Sequence, residues 1–304
     1  MSDAATSLTN HPTLYIEDGN FIIKCNSTLF CMHKSRLSRS SEVFRDLCAR
    51  DYKPADKLRG LPWIEVSDTE EDMEILLEII ESNPVPPVPA DFAYTSSALR
   101  MTIKYRVIHK RDALLASLSA TLHDLFFELT PAKRPHPAEA IALLRECDYR
   151  NPIDLAMLFY ELSLRVTNHP APLADDTMRL LEPADLERLA IGTGRLHRAH
   201  TSGARFPAGH IPHLACQPRL LRWWVEVAEP LLHADERILH GWIRLRDEVE
   251  QRGILGGATM PNGLVIQFPM QMAPCFFCRE ALKGHVLRTT QTLIEQLGSY
   301  FVLV

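Results

Sequence analysis

Two cysteines near the C-terminus, Cys275 and Cys278, have the spacing in this chain that most directly suggests chemistry. Thiolates separated by two residues can bind one zinc ion, and a structural zinc site then needs two further ligands. His210, His213 and Cys216 lie close together upstream and are the candidates. The predicted metal site combines Cys275 and Cys278 with Cys216 and His213. Since the chain has no second Cys-x-x-Cys pair, the zinc signature is incomplete.

The same cysteine pair permits two other interpretations. A redox-active pair is normally preceded by a strand and followed by a helix. A long helix is predicted after Cys278, but the sequence before Cys275 does not resemble a thioredoxin sheet. Alternatively, both cysteines are buried thiols at the start of the last helix, and the protein has no cofactor. The sequence leaves zinc, redox and purely structural roles open.

Other polar residues with reactive side chains are explained more simply by structure. His33 has no nucleophile or second ligand at a useful spacing, so we expect its ring to bind backbone groups or Asp18. The segment 253–257 lacks the Gly-Lys-Ser/Thr ending of a phosphate loop. Ser202 and Ser299 lack the surroundings of a nucleophile elbow. We therefore expect no catalytic residues, no enzyme activity and no small-molecule substrate.

One local cluster of positive charge extends from Arg195 to Arg205, within a predicted loop at 192–209. It could contact RNA or an acidic partner, although a solvated loop is the simpler interpretation. The whole chain has a net charge of −5, so its overall charge gives no support to nucleic-acid binding. A nucleic-acid-linked regulator that uses this basic loop is the third alternative, and nucleic acid is not the expected partner.

The composition is that of an ordinary globular protein, with 304 residues, 46% of them hydrophobic and 23% charged. Seven scattered cysteines suggest a reducing compartment and not a disulfide framework. The N-terminus has no apolar signal region, and no apolar run reaches the roughly 18 residues of a membrane span. We expect a protein of the cytoplasm or nucleus with no membrane partner.

Hydrophobic periodicity predicts an α+β fold in which helices pack on a small N-terminal sheet and a mostly helical domain follows. The Asp18-Gly19 pair predicts a hairpin between the first two strands. Ser40 or Ser41 is expected to cap one helix, and Asp68 or Thr69 the next long one. The predicted strands cover residues 14–16, 21–25, 28–32 and 62–67.

A proline-rich segment marks the predicted domain boundary, because three prolines and two cations within seven residues do not favour a regular element. The chain beyond it shows amphipathic helical patterns almost throughout. The predicted organisation is a disordered tail at 1–12, a first domain at 13–130, a linker at 131–137 and a helical domain at 138–304.

The run from Phe30 to Leu37, followed by Ser41 and Phe44, resembles the signature of a BTB/POZ domain: aromatic-x-x-His-Lys/Arg-x-x-Leu and then Ser-x-x-Phe. The resemblance covers residues 11–122, and the second half resembles the helical region behind BTB domains in large fungal, basidiomycete-type families. The usual aromatic-Thr-Gly turn after the third helix is replaced here by a proline-rich stretch. The matching signature positions are Asp18, Phe30, His33, Leu37, Ser41, Phe44 and Tyr105.

The resemblance implies a protein-interaction module that forms a homodimer. Such domains act as adaptors that recruit a cullin scaffold of ubiquitin ligases or a transcriptional cofactor, and the helical domain would hold a second protein. On this basis we expect Tyr15, Phe21, Met32 and Phe44 to contribute to the dimer interface.

Overall fold

The fold is described from a computed structural model of the chain. Two compact units are present: Met1–His136 with Ala142–Arg150, and Pro137–Ile141 with Asn151–Val304. The predicted linker at 131–137 lies largely outside the described residues. The structure describes residues 8–53, 57–82, 92–127, 135–168, 176–233, 237–254, 258–259, 265–266 and 273–302.

The first unit contains a five-stranded mixed sheet with the strand order β1-β3-β2-β5-β4. The predicted hairpin of β2 and β3 is confirmed: the strands are antiparallel, and Asn26 occupies the left-handed conformation in their turn, with φ of 51°. Strand β5 is parallel to β2. The strands are β1 (Thr9–Tyr15), β2 (Phe21–Cys25), β3 (Thr28–Met32), β4 (Lys57–Leu58) and β5 (Leu61–Val66).

The first strand corrects the predicted tail, because β1 already begins at Thr9 and residues 9–12 belong to the sheet. The Thr9 N–H donates to the Ser27 carbonyl at 2.9 Å, and the His11 ring stacks on Phe30 with centroids 4.8 Å apart. The sequence shows too few apolar residues to reveal this edge strand, whose pairing depends on contacts with distant residues.

The predicted hairpin at Asp18-Gly19 is wrong, because β1 pairs with β3 in parallel and not with β2. The segment between β1 and β2 crosses the end of β3: the Ile16 N–H donates to the Cys31 carbonyl, and the Asn20 N–H donates to the Met32 carbonyl. Strands β1 and β2 therefore lie on opposite sides of β3.

Local capping predictions are confirmed in the helices around the sheet. The Ser41 hydroxyl accepts from the Phe44 N–H at 3.0 Å, and the Thr69 hydroxyl accepts from the Asp72 N–H at 3.1 Å. These helices are α1 (Lys34–Ser40), α2 (Glu42–Cys48), α3 (Glu70–Glu81), α4 (Phe92–Lys104) and α5 (Ile108–Phe127).

The residues predicted for the dimer interface are largely core. Phe21, Met32 and Phe44 have no exposed surface, so the prediction is wrong for these three: their side chains already pack inside the sheet unit. The Phe44 ring stacks on Tyr105 with centroids 4.9 Å apart. Tyr15 remains half-buried at the edge of the sheet.

The second unit is built from helices, which confirms the coarse α+β organisation of the chain. None of the helices in the described ranges is both long enough and apolar enough to cross a bilayer. A π-helical turn, Trp224–Ala228, joins α9 to α10. Helix α6 (Pro137–Glu146) is divided between the two units after Ile141. The elements that follow are α7 (Pro152–Asn168), α8 (Pro183–Gly203), α9 (Gln217–Trp223), α10 (Glu229–His233), α11 (Ile238–Arg252), β6 (Ala258–Thr259), β7 (Val265–Ile266), α12 (Phe276–Glu295) and α13 (Leu297–Tyr300).

The prediction of a loop at 192–209 is wrong over its first two thirds, because α8 continues to Gly203. Its buried side includes Gly192, Leu196 and His200, which recur at the spacing of one helix face. A Cβ atom at Gly192 would lie 2.0 Å from a ring atom of Phe301, so the glycine permits close packing there. The glycines and cations of residues 192–203 therefore belong to a helix, whereas Arg205 follows its end.

Candidate metal centre

Two short segments of the helical unit carry the predicted metal ligands. His213 comes directly before a 3-10 turn that ends at Cys216, and Cys216 occupies the N-cap position of α9. Cys275 occupies the N-cap position of α12, and Cys278 is buried in the first turn of that helix. Each pair thus lies at the start of a helix, with its two members separated by two residues.

The four side chains converge on one point. The Nδ1 atom of His213 lies 3.1 Å from the Cys275 Sγ atom and 3.5 Å from the Cys278 Sγ atom. All four potential ligand atoms, including the Cys216 sulfur, lie within 4.8 Å of one another. In a tetrahedral site with Zn–S of about 2.3 Å and Zn–N of about 2.0–2.1 Å, neighbouring ligand atoms are about 3.6–3.8 Å apart. The observed spacing fits such a tetrahedron with small side-chain adjustments.

The backbone around the centre is fixed by hydrogen bonds. The Cys216 N–H donates to the His213 carbonyl at 3.0 Å, and the Arg279 N–H donates to the Cys275 carbonyl at 3.2 Å. These bonds hold both ligand pairs in tight turns. The two thiols of the second pair thereby reach the same point as the ligands from the first pair.

The two thiols of the Cys-x-x-Cys pair have opposite proton affinities. The nearby backbone N–H of Cys278 and the His213 ring lower the pKa of the Cys275 thiol to about 6. Burial raises the pKa of the Cys278 thiol to about 11. Zinc binds thiolates and not thiols. Cys275 would therefore provide an anionic ligand near neutral pH, whereas the Cys278 thiol would lose its proton only on binding zinc.

The structure distinguishes between the two candidate histidines. His213 enters the cluster, whereas His210 lies against His285 with ring centroids 5.5 Å apart. All four residues of the predicted metal set, His213, Cys216, Cys275 and Cys278, are therefore brought together.

The other candidate residues have structural surroundings. His33 Nε2 lies 3.5 Å from Asp18 Oδ1, the contact that the sequence suggested. Ser202 is part of α8 and Ser299 is part of α13, so neither occupies a strand-to-helix elbow. Gly253 ends α11 with a φ of 71°, while residues 255–257 of the glycine-rich segment lie outside the described ranges.

No protein-family model, no curated protein and no solved structure matches this chain. The function must therefore be inferred from the residues and geometry of the chain itself.

Proposed function

We propose that this protein is a non-catalytic binding scaffold whose helical unit is organised by one structural zinc ion. The observation that supports this function best is the convergence of His213, Cys216, Cys275 and Cys278 within 4.8 Å. Four protein ligands complete a tetrahedral coordination sphere and leave no position for water or substrate. A closed sphere of this kind is typical of structural and not catalytic zinc.

The donor set favours zinc over other biological metals. Three sulfur atoms and one imidazole nitrogen suit zinc, whereas calcium and magnesium prefer oxygen ligands. Iron–sulfur clusters are held mainly by four thiolates, and the cluster here includes the imidazole of His213. Zinc is therefore the metal that the site is expected to select.

Zinc also accounts for the site better than redox chemistry does. A dithiol that cycles with a disulfide needs only its own two cysteines. Here the sulfur atoms of Cys275 and Cys278 both lie next to His213, and a third thiol from Cys216 completes the group. The redox interpretation leaves the presence of the second ligand pair unexplained.

Metal analysis of the purified full chain tests the proposal. Elemental analysis by mass spectrometry should find about one zinc per chain in the wild type, as expected for a closed four-ligand site. Cys275→Ser and Cys216→Ser should lose this zinc. Cys48→Ser, which removes a half-buried thiol of the other unit, is the matched control and should retain it. A wild-type protein that stays free of zinc after incubation with the metal would contradict the proposal.

A second proposal concerns the sheet unit, namely that it is a BTB-like domain that self-associates and serves as an adaptor. It is supported by the chain order β2, β3, α1, α2, β4, β5, α3 and by the parallel pairing of β2 with β5. The shared core of Phe30, Leu37 and Phe44 also supports it, since these are signature positions. A cullin scaffold or a transcriptional cofactor would be the recruited partner.

Because Phe21, Met32 and Phe44 are buried, self-association would have to use other residues, such as Tyr15 on the edge strand β1. Light scattering at micromolar concentrations should give twice the mass of the 34.5 kDa chain. A monomer mass throughout this range would exclude the self-association that defines the proposal.

A further inference from the structure

We infer that the proposed zinc centre is also a redox switch: a hydroperoxide oxidises Cys275 and Cys278 to a disulfide, and the zinc ion is released. This inference rests on the proposed structural zinc ion and assigns a means of regulation to that same site. The zinc-bound form would link the start of α12 to the 3-10 turn before α9, and the oxidised form would lack that link.

The positions of the two cysteines at the start of α12 favour a disulfide between them. Cys275 occupies the N-cap position, and Cys278 lies in the first turn of the same helix. Helix geometry places Cα atoms at this spacing about 5 Å apart, which is within the roughly 4.4–6.8 Å that a disulfide spans. The two sulfur atoms already lie within 4.8 Å of each other. Side-chain rotation can therefore bring the sulfur atoms into bonding contact with little movement of the backbone.

The centre lies at the surface of the helical unit, where a small oxidant can reach it. The large apolar side chains between the ligands are the most exposed of their kind among the described residues: Leu214 at 79%, Phe277 at 71% and Phe276 at 61%. Cys275 is half-buried, whereas Cys278 is buried. A redox-sensing cysteine is typically an accessible thiol beside a second thiol that resolves the first product. The difference in exposure therefore assigns the first step to Cys275 and the second step to Cys278.

The oxidation is balanced by one molecule of hydroperoxide. Zinc holds both sulfur atoms as thiolates, the form of cysteine that acts as a nucleophile. The Cys275 sulfur attacks one peroxide oxygen, the O–O bond breaks, the second oxygen leaves as an anion, and Cys275 becomes a sulfenic acid. The Cys278 thiolate then attacks the Cys275 sulfur and displaces hydroxide, which forms the S–S bond. The two sulfur atoms together lose two electrons, both peroxide oxygens are reduced and take up protons from water, and zinc remains Zn²⁺.

Release of the metal follows from the loss of two ligands. After the disulfide forms, only His213 and Cys216 of the four converging residues can still bind zinc. Structural zinc sites have four protein ligands, so the remaining pair does not form such a site. A thiol reductant would reverse the step by thiol–disulfide exchange and restore both thiolates for a new zinc ion.

Cys278, and not Cys216, is the expected partner of Cys275. Cys278 stays within one helical turn of Cys275 whether or not zinc is bound. Cys216 belongs to a separate segment at the N-cap of α9 and would be held beside Cys275 by the metal. Because closing a short loop costs less chain entropy than closing a long one, the disulfide within α12 is favoured.

The cysteines outside the centre are poorly placed for this reaction. Cys25, Cys31 and Cys147 are buried, and buried structural thiols are generally inert. Cys48 is half-buried like Cys275 but belongs to the other unit. Cys48 therefore offers a control for thiol oxidation that does not involve the zinc centre.

Treatment of the zinc-loaded full chain with hydrogen peroxide tests the switch. A chromogenic chelator should report the release of about one zinc ion per chain, the amount held by one four-ligand site. Peptide mapping by mass spectrometry should find a disulfide between Cys275 and Cys278. A thiol reductant with added zinc should restore the metal content, and protein kept without peroxide should retain its zinc.

Two variants with the same set of ligand atoms separate Cys275 from the other thiols. Cys275→His and Cys216→His each leave two cysteines and two histidines, a common set for structural zinc. Only Cys216→His keeps the Cys-x-x-Cys pair, so Cys275→His should release zinc at least about tenfold more slowly than Cys216→His does. Cys48→Ser should release zinc at the wild-type rate. If either histidine variant binds no zinc, the peptide map of the wild type decides the question.

The outcomes separate the switch from the metal. A wild type that holds zinc and keeps it in peroxide overturns the switch, and the zinc proposal stands. Zinc release with a disulfide between Cys275 and Cys216, or with no disulfide, also overturns it. Equal rates of release from the two zinc-loaded histidine variants contradict the role of Cys275. A wild type that binds no zinc refutes the zinc proposal and this inference together.

Discussion

The Nδ1 atom of His213 lies 3.1 Å from the Cys275 Sγ atom, although 62 residues separate the two in the chain. This contact joins the turn before α9 to the N-terminus of α12. A zinc ion bound there would link the two segments, and its binding free energy would contribute directly to the stability of the folded unit.

Removal of the metal should therefore destabilise the helical unit. We expect a strong chelator to lower the thermal unfolding temperature of the wild type by at least about 5 °C, since each 1 kcal/mol shifts it by about 2–4 °C at this size and structural zinc supplies several kcal/mol. Calorimetry is the measurement. Cys275→Ser should already melt at the lower temperature and not respond, whereas Cys48→Ser should respond like the wild type. Superimposable wild-type curves with and without chelator would show that the metal has no structural role.

The sequence predicted the ligand types of this site but not its assembly. The spacing of Cys275 and Cys278 is a local signal, and so is the nearness of two histidines to Cys216. The prediction already named His213 and not His210, but no local pattern explains this selection, because it depends on where α12 begins beside the 3-10 turn. Only the three-dimensional fold brings His213 to the sulfur atoms.

The difference between local signals and long-range contacts also explains which parts of the fold were predicted correctly. The turn at Asn26 and the cap at Ser41 depend on neighbouring residues, so local patterns were sufficient. Gly192 of α8 instead packs against the ring of Phe301, a residue more than 100 positions later in the chain. Tertiary contacts of that kind override local propensity and leave no short-range signal.

A buried histidine should make stability depend on pH. Trp242 donates its indole N–H to the Nδ1 atom of His200 at 3.1 Å, so that nitrogen must be unprotonated. Burial, with smaller contributions from His233 and His197, lowers the pKa of His200 from 6.5 to about 4. Between these values the unfolded chain binds a proton that the folded chain does not. Stability should therefore be fully present above pH 6.5 and fall as the pH drops towards 4, by at most about 1.4 kcal/mol per pH unit from this group.

Urea unfolding at several pH values between 7 and 4 measures this effect. His200→Gln can still accept the indole hydrogen bond but does not titrate, so its stability should fall less steeply than that of the wild type. His109→Gln removes an exposed histidine of the other unit and should keep the wild-type slope. Because loss of the proposed zinc at low pH would affect all variants alike, the comparison is between variants. Identical slopes for the wild type and His200→Gln would rule out His200 as the cause.

Ser41 should contribute more to stability than its neighbour Ser40. The Ser41 hydroxyl accepts from the Phe44 N–H at 3.0 Å and donates to the buried Tyr105 carbonyl at 2.5 Å. Ser41→Ala removes the cap of α2 and leaves that carbonyl without this donor, which should cost about 1–3 kcal/mol. Chemical denaturation measures the loss. Ser40 is half-buried and does not cap α2, so Ser40→Ala should change stability by less than about 0.5 kcal/mol. Equal losses at both positions would contradict the capping role of Ser41.

Two glycines of α8 should respond in opposite directions to the same substitution. A Cβ atom at Gly192 would lie 2.0 Å from the Phe301 ring, whereas a Cβ atom at Gly194 would have nothing within 4 Å. Gly194→Ala should stabilise the protein by about 0.5–1 kcal/mol, because alanine is favoured over glycine inside a helix. Gly192→Ala gains the same helix propensity but must displace the fully buried Phe301 ring, which also stacks on Phe159, so we expect a net loss of about 1–3 kcal/mol.

Chemical denaturation of both variants at one pH compares their free energies of unfolding. The double variant Gly192→Ala with Phe301→Leu should recover part of the loss. Stabilisation by Gly192→Ala would show that α8 does not pack against Phe301.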